Sequence, residues 1–135
     1  MQTTATFTVQ SFEPTEFAPP ATTTGTPVGV ARMVKQFDGG LEGSAETLFT
    51  GAFDPERGVG TYVAMESFSG TLDGRTGTFN IAHTATTDGG PQRLHEVVVI
   101  VPGSATGDLA GLTGTGQIRM DDDGGHWLDL DYEIG

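Results

Sequence analysis

Val28-Gly29-Val30-Ala31-Arg32-Met33-Val34-Lys35-Gln36-Phe37 is an extended, β-branched segment, Asp38-Gly39-Gly40 a tight turn, and Leu41-Glu42-Gly43-Ser44-Ala45-Glu46-Thr47-Leu48-Phe49 a second extended segment. In the second segment Leu41, Gly43, Ala45, Thr47 and Phe49 alternate with Glu42, Ser44 and Glu46, the period of a strand with one buried and one wet face. Two such segments around a glycine turn predict a β-hairpin.

The same alternation runs outward in both directions. Ala5, Phe7 and Val9 share one parity and Thr4, Thr6, Thr8 and Gln10 the other, which predicts a first strand. Residues 13–26 hold Pro14, Pro19 and Pro20 and predict a long loop, since proline cannot donate to a ladder; such loops often serve as lids or partner contacts. After the turn Asp54-Pro55-Glu56-Arg57-Gly58 come a fourth strand from about Gly60 to Phe68 and a fifth from about Thr78 to Thr86, ended by Asp88-Gly89-Gly90-Pro91. Leu94 to Val101 is apolar on both parities, which predicts a strand covered by core on one face and by a loop or partner subunit on the other, and hence a homo-oligomer. A glycine-rich connection then leads to a strand at Gln117–Met120, and Asp121-Asp122-Asp123-Gly124-Gly125 turns the chain into a last strand carrying Leu128, Leu130, Tyr132 and Ile134. Eight strands and no helical period predict an all-β fold, a single domain over residues 1–135 closed as an eight-stranded antiparallel β-barrel.

Composition agrees with this and narrows the partners. The 135 residues suit one core, and 21 glycines suit strands joined by tight turns. Eighteen acids against six bases give a net charge of -12, which argues against nucleic acid and anionic membranes as partners. The absence of cysteine excludes disulfides, thiolate metal sites and cysteine nucleophiles. The opening Met1-Gln2-Thr3-Thr4 has neither a basic flank nor an apolar run, and no stretch approaches the roughly 20 apolar residues that span a bilayer, so a cytoplasmic protein is expected.

One pattern occurs twice. Gly70-Thr71-Leu72-Asp73-Gly74-Arg75-Thr76-Gly77-Thr78 and Gly107-Asp108-Leu109-Ala110-Gly111-Leu112-Thr113-Gly114-Thr115 share G-x-L-x-G-x-T-G-T. A leucine between glycines suits a tightly twisted barrel corner; a phosphate-cradling loop would need a helix to follow, and none does.

Taken together, Glu66-Ser67-Phe68-Ser69-Gly70-Thr71-Leu72, Gly77-Thr78-Phe79 with His83, Val101-Pro102-Gly103-Ser104, Leu109-Ala110-Gly111-Leu112 and Leu130-Asp131-Tyr132-Glu133 resemble a bacterial family of unknown function, numbered 3224. The resemblance covers nearly the whole chain. It implies an allene oxide cyclase-like or lipocalin-like barrel with an apolar lumen, related to barrels that shape a reactive substrate, and it brings no established activity.

Among residues able to carry chemistry, Arg32, Lys35 and Arg119 are the cations inside predicted strands. Arg32 shares parity with Val28, Val30 and Val34, so it is expected to face inward, where an unpaired charge costs several kcal/mol and calls for a partner. Glu66, on a mixed face with Tyr62, Ala64 and Phe68, is the expected partner. His83 shares the apolar face of Phe79, Ile81 and Ala85, and a carboxylate on the neighbouring strand can orient its imidazole for acid or base work. His126 falls with Leu128 and Leu130, and Trp127 on the polar parity, where it would line an interface or cap an opening. His95 and Glu96 are adjacent and face opposite ways. The Asp121–Asp123 run lacks calcium-loop spacing, and three scattered histidines make no zinc motif, so no metal or cofactor is expected.

The expected catalytic residues are therefore Glu66, His83 and Arg32, and the expected ligand contacts Tyr62, Phe68, Phe79, Ile81, His126, Trp127 and Tyr132. Glu66 or His83 would be the base, and Arg32 or Tyr62 the electrostatic partner. The leading expectation is an enzyme that binds a small, mostly apolar molecule in the lumen and performs a cofactor-independent cyclisation, isomerisation or proton transfer. A non-catalytic carrier or sensor needs the same lumen without the base. A structural or interaction protein would fill the lumen with its own side chains.

Overall fold

The hairpin of Val28–Phe49 supplies the second and third strands of a closed ring. A computed structural model describing residues 1–135 contains β1 (Gln2–Pro14), β2 (Val28–Gly39), β3 (Leu41–Asp54), β4 (Val59–Leu72), β5 (Arg75–Asp88), β6 (Leu94–Ile100), β7 (Leu112–Met120) and β8 (His126–Ile134), with one 3-10 turn at Gly107–Leu109. Each strand is antiparallel to the next, and β8 returns to β1 with Thr4 opposite Asp129. The ring is narrowest in its pairing between β6 and β7, which meet only at Val99–Thr115 and Ile100–Gly114. No helix is long and apolar enough to cross a membrane.

Eight strands enclose a lumen just wide enough for packed side chains or one small ligand, and the two ends of this barrel differ: one is packed solid and the other leaves open space. At the closed end β4 turns into β5 through Asp73 and Gly74, with φ of 47° and 86°, the pair of positive angles that a two-residue hairpin matched to strand twist requires. The Asp73 carboxylate accepts hydrogen bonds from Thr3 Oγ1 at 2.8 Å and Tyr132 Oη at 2.6 Å, which ties β1 and β8 across the turn. Burial and the Asp73 charge push the Tyr132 phenol up to about 12. Behind this turn Phe37, Leu41, Phe68, Leu72, Phe79 and Leu109 pack without access to solvent. Gly43 and Gly70 lie opposite one another in β3 and β4, and a Cβ on either would stand 2.2 or 2.1 Å from a carbonyl oxygen of the facing strand. Both copies of the repeated pattern deliver their leucine, Leu72 and Leu109, into this plug, as barrel corners do.

Several expectations are corrected by the register. β7 begins at Leu112 and not at Gln117, because Gly114 and Gly116 are strand residues lying close against β8, where a Cβ would meet the carbonyl oxygens of Asp131 and Asp129 at 2.5 and 2.4 Å. β1 continues to Pro14, so the loop starts at residue 15, where the Thr15 N–H is held by the Val30 carbonyl at 2.8 Å. β6 is covered on one face only within this chain: Val98 and Ile100 are buried, while Val97 is 54% exposed. Arg32 faces outward. Its side chain is 55% exposed and pairs with Glu46 at 2.9 Å on the outer surface, since Val28, Val30 and Val34 belong to the outer face while Ala31, Lys35 and Phe37 are buried within.

Candidate functional site

At the open end the lumen wall changes from large apolar side chains to small and polar ones. Gly51, Ala64 and Ala85 replace bulk, and a Cβ at Gly51 would stand 2.9 Å from the Phe49 ring, so glycine there gives that ring its place. The room left is a cavity of about 160 Å³ bordered by Phe7, Met33, Lys35, His83, Ile118 and His126. A second cleft of about 310 Å³ runs from it to the rim between Phe53, Thr61, Thr86 and Pro91. Phe49, Tyr62, Arg93 and Met120 border both spaces.

Register decides which polar groups meet there. Thr47 lies opposite Glu66, His83 opposite Ala64 and Tyr62 opposite Ala85, so four inward positions of β3, β4 and β5 stack within three successive rungs. Lys35 enters from β2. Its Nζ pairs with Glu66 Oε1, and Thr47 Oγ1 donates to the same oxygen at 2.7 Å. Lys35 is 4% and Glu66 2% exposed. Burial pushes the Glu66 carboxyl up, and His83 and Lys35 more than offset it, holding the group at about 2 and therefore ionised at neutral pH.

Glu66 Oε2 faces His83 Nε2 at 3.5 Å, a contact longer than a hydrogen bond, and Nε2 has no other partner. The opposite ring nitrogen, Nδ1, lies 2.7 Å from Tyr62 Oη. Arg93 Nη2 donates to that same phenol oxygen, and Arg93 Nε pairs with Glu96 Oε2. A guanidinium only donates, so the phenol oxygen accepts from Arg93 and keeps its own hydrogen to give to His83 Nδ1 in the tautomer that leaves that nitrogen bare. That tautomer carries the ring hydrogen on Nε2, toward Glu66. Burial pushes the Tyr62 phenol up against the pull of Arg93, so the phenol is protonated at rest.

The structure brings Glu66, His83 and Tyr62 together, and it puts His126 on the same cavity, stacked on Phe7 with centroids 5.1 Å apart. It does not bring in the others. Arg32 lies outside the barrel, and Lys35 takes the role of inward cation. Trp127 neither lines the cavity nor caps it: it packs against Arg119 on the outer face and donates to Asp121 Oδ2 at 2.7 Å. Phe68, Phe79, Ile81 and Tyr132 are buried in the core and border neither space at the open end. Residue patterns also left out Thr47, Phe49 and Arg93. The Lys35 position was available from the hairpin: counted back from Gly39-Gly40, it pairs with Ala45, which is already on the apolar parity. Arg93 offered no such signal, lying before β6, where the β5–β6 register shifts between Thr84 and Thr86.

The model of a family described as "Protein of unknown function (DUF3224)" matches residues 3–132. A solved structure from Shewanella oneidensis MR-1, described as a protein with unknown function from that family, aligns with a TM-score of 0.87 at 31% identity, covering 100% of this chain and 97% of that one. No curated protein matches the chain.

Proposed function

The chain belongs to the DUF3224 family, and on that premise we propose that the open end of its barrel binds a small, mostly apolar organic molecule and catalyses a cofactor-independent proton transfer, as in isomerisation or cyclisation. The observation that carries this reading is the line Tyr62–His83–Glu66, which runs from the wall of a cavity to a buried, ionised carboxylate. Tyr62 is the group at the ligand. As a proton leaves the ligand for the Tyr62 oxygen, the phenol's own proton moves to His83 Nδ1, and both transfers reverse when the ligand is reprotonated at the same or a neighbouring carbon. His83 becomes an imidazolium facing Glu66, and Arg93 holds the charge that develops on the phenol oxygen. Positioned proton transfer of this kind contributes about 10²–10⁴-fold, and the apolar walls add orientation. The one-ended lumen of an eight-stranded meander also supports placing the chain among the allene oxide cyclase-like barrels.

Native mass spectrometry of gently purified protein identifies a retained compound. Wild-type protein is expected to convert it, Tyr62→Phe to bind it without converting it, and Glu66→Gln to convert it more slowly than wild type. Recovery of the compound unchanged from wild type contradicts catalysis and favours a carrier; failure of any apolar compound to bind contradicts both and leaves a filled structural barrel.

We also infer a homo-oligomer formed through the outer face of β3 to β6. Leu48 and Met65 are cross-strand neighbours there, as are Val63, Thr84 and Val97, and these rows carry no acid in a chain of net charge -12. A dimer or higher oligomer by native mass spectrometry that Val63→Glu reduces to monomer is expected; a wild-type monomer contradicts it.

A further inference from the structure

We propose that the molecule bound at the open end is a neutral carbonyl compound, a ketone or enone with an apolar body, whose oxygen is received by Arg93 beside Tyr62. The inference rests on the proposed ligand-binding role of this end and adds the chemistry of what is recognised. It follows from which hydrogen-bonding groups are already spent. Of the two carboxylates in the cluster, Glu66 has Oε1 on Lys35 and Thr47 and Oε2 against His83. Glu96 has Oε2 on Arg93 and Oε1 on the Ile118 N–H at 3.3 Å. Neither carboxylate borders the two spaces, so neither receives a hydrogen from a ligand there. Arg93 spends Nε on Glu96 and Nη2 on Tyr62, its Nη1 has no partner in the chain, and the residue borders both spaces as well as an outer groove beside Glu96 and Gln117. The group of an occupant that meets Arg93 is therefore an acceptor, because a guanidinium offers hydrogens and no lone pair.

The rest of the wall defines the body. Phe49, Phe53, Pro91 and Met120 give the wall apolar faces, with Thr61, Thr86, Thr87 and Gln92 between them, so the part of the ligand against those faces is hydrocarbon. Charge defines the acceptor further. The turns at this end carry Asp54, Glu56, Asp88 and the Asp121–Asp123 run, and the chain as a whole has net charge -12. A carboxylate would enter against that field, whereas a carbonyl oxygen would not, and would gain the arginine once inside. A carbonyl there also acidifies its neighbouring C–H bond, and Tyr62 stands one hydrogen bond from the same guanidinium.

Calorimetric titration of the full chain with trans-2-decalone, trans-decalin and trans-decalin-2-carboxylate separates these elements, with cyclooctanone and cyclooctane as a second, smaller pair. The ketones are expected to bind about tenfold or more tighter than the matched hydrocarbons, the worth of one hydrogen bond to a charged group, and tighter than the carboxylate. Arg93→Met is expected to erase the ketone's advantage while leaving decalin binding unchanged; because Glu96 is then left without its partner, Arg93→Lys, which keeps the charge and loses the fork, provides a folded second variant with a partial loss. Equal affinity of ketone and hydrocarbon overturns the carbonyl inference and spares the binding site. A carboxylate that binds tighter than the ketone overturns the neutrality of the ligand. Failure of every probe to bind at millimolar concentration overturns this inference together with the proposed function.

Discussion

Replacing Lys35 with methionine keeps the side chain's reach and removes the charge that Glu66 faces. In the native barrel both groups are almost fully buried, 4% and 2% exposed. The Glu66 carboxyl is held at about 2 against an ordinary value of 4.5. That difference, at about 1.4 kcal/mol per unit, corresponds to about 3 kcal/mol of preferential stabilisation of the carboxylate. Its folded value lies below its unfolded one, so this contribution is complete above pH 4.5 and is lost as pH falls toward 2. Lys35→Met leaves a buried carboxylate with His83 and Thr47 alone, a class of change that costs about 3–5 kcal/mol. With a urea slope of about 1.5–2 kcal/mol per molar for a chain of this size, the unfolding midpoint at pH 7 is expected to fall by about 2 M. Lys35→Met combined with Glu66→Leu removes both charges and is expected to recover most of that loss, as apolar replacements of buried pairs do. Urea unfolding of wild type, both single variants and the double variant at pH 7, repeated at pH 4, measures the coupling. A single variant within about 0.5 kcal/mol of wild type, or a double variant as unstable as the sum of the singles, would refute the reasoning.

Three further expectations concern other parts of the barrel. Thr47→Val keeps the shape of the side chain but takes one hydrogen bond from a buried carboxylate, and chemical denaturation is expected to show a loss of about 1.5–3 kcal/mol. Phe68→Ala opens the packed closed end and is expected to cost about 3–5 kcal/mol while leaving decalone affinity at the open end unchanged, which calorimetry checks. Asp73→Ala removes the acceptor of Thr3 and Tyr132 and places a side chain without local hydrogen bonding at φ of 47°; a loss of about 1–3 kcal/mol is expected from thermal unfolding.

Strand number, antiparallel order and the turn positions were legible because a half-buried strand writes its alternation into the chain. The hairpin of β2 and β3 shows both the strength and the limit of that signal. Leu41, Ala45 and Thr47 declared their face correctly, but β2 has apolar residues on both parities, and three valines outweighed Ala31, Lys35 and Phe37. A barrel tolerates apolar groups on its outer face, so hydrophobicity alone does not fix the phase of such a strand; pairing with β3 does. That one-residue phase error exchanged Arg32 for Lys35. Glu66 and His83 were recoverable because polar residues on otherwise apolar faces of adjacent strands must meet. Which inward residues border space and which fill it was not legible. Phe68, Phe79 and Tyr62 share inward positions, and only closure of the ring, with Leu72 and Leu109 plugging one end, puts the first two in a solid core and leaves Tyr62 at a cavity. Arg93 lies before β6, outside any strand, beside a shift in the β5–β6 register that no periodicity announces.

Deuterium uptake by trans-2-decalone bears most directly on whether Tyr62, backed by His83 and Glu66, moves a proton at a bound ligand. The ketone is incubated with the protein in deuterated buffer and exchange at the carbons beside its carbonyl is followed by proton NMR. Wild type is expected to exchange these positions at least about 100-fold faster than Tyr62→Phe, the scale of one positioned acid–base group, with Glu66→Gln between the two. Exchange at the buffer rate in the presence of bound ketone, or equal rates for wild type and Tyr62→Phe, would contradict the account.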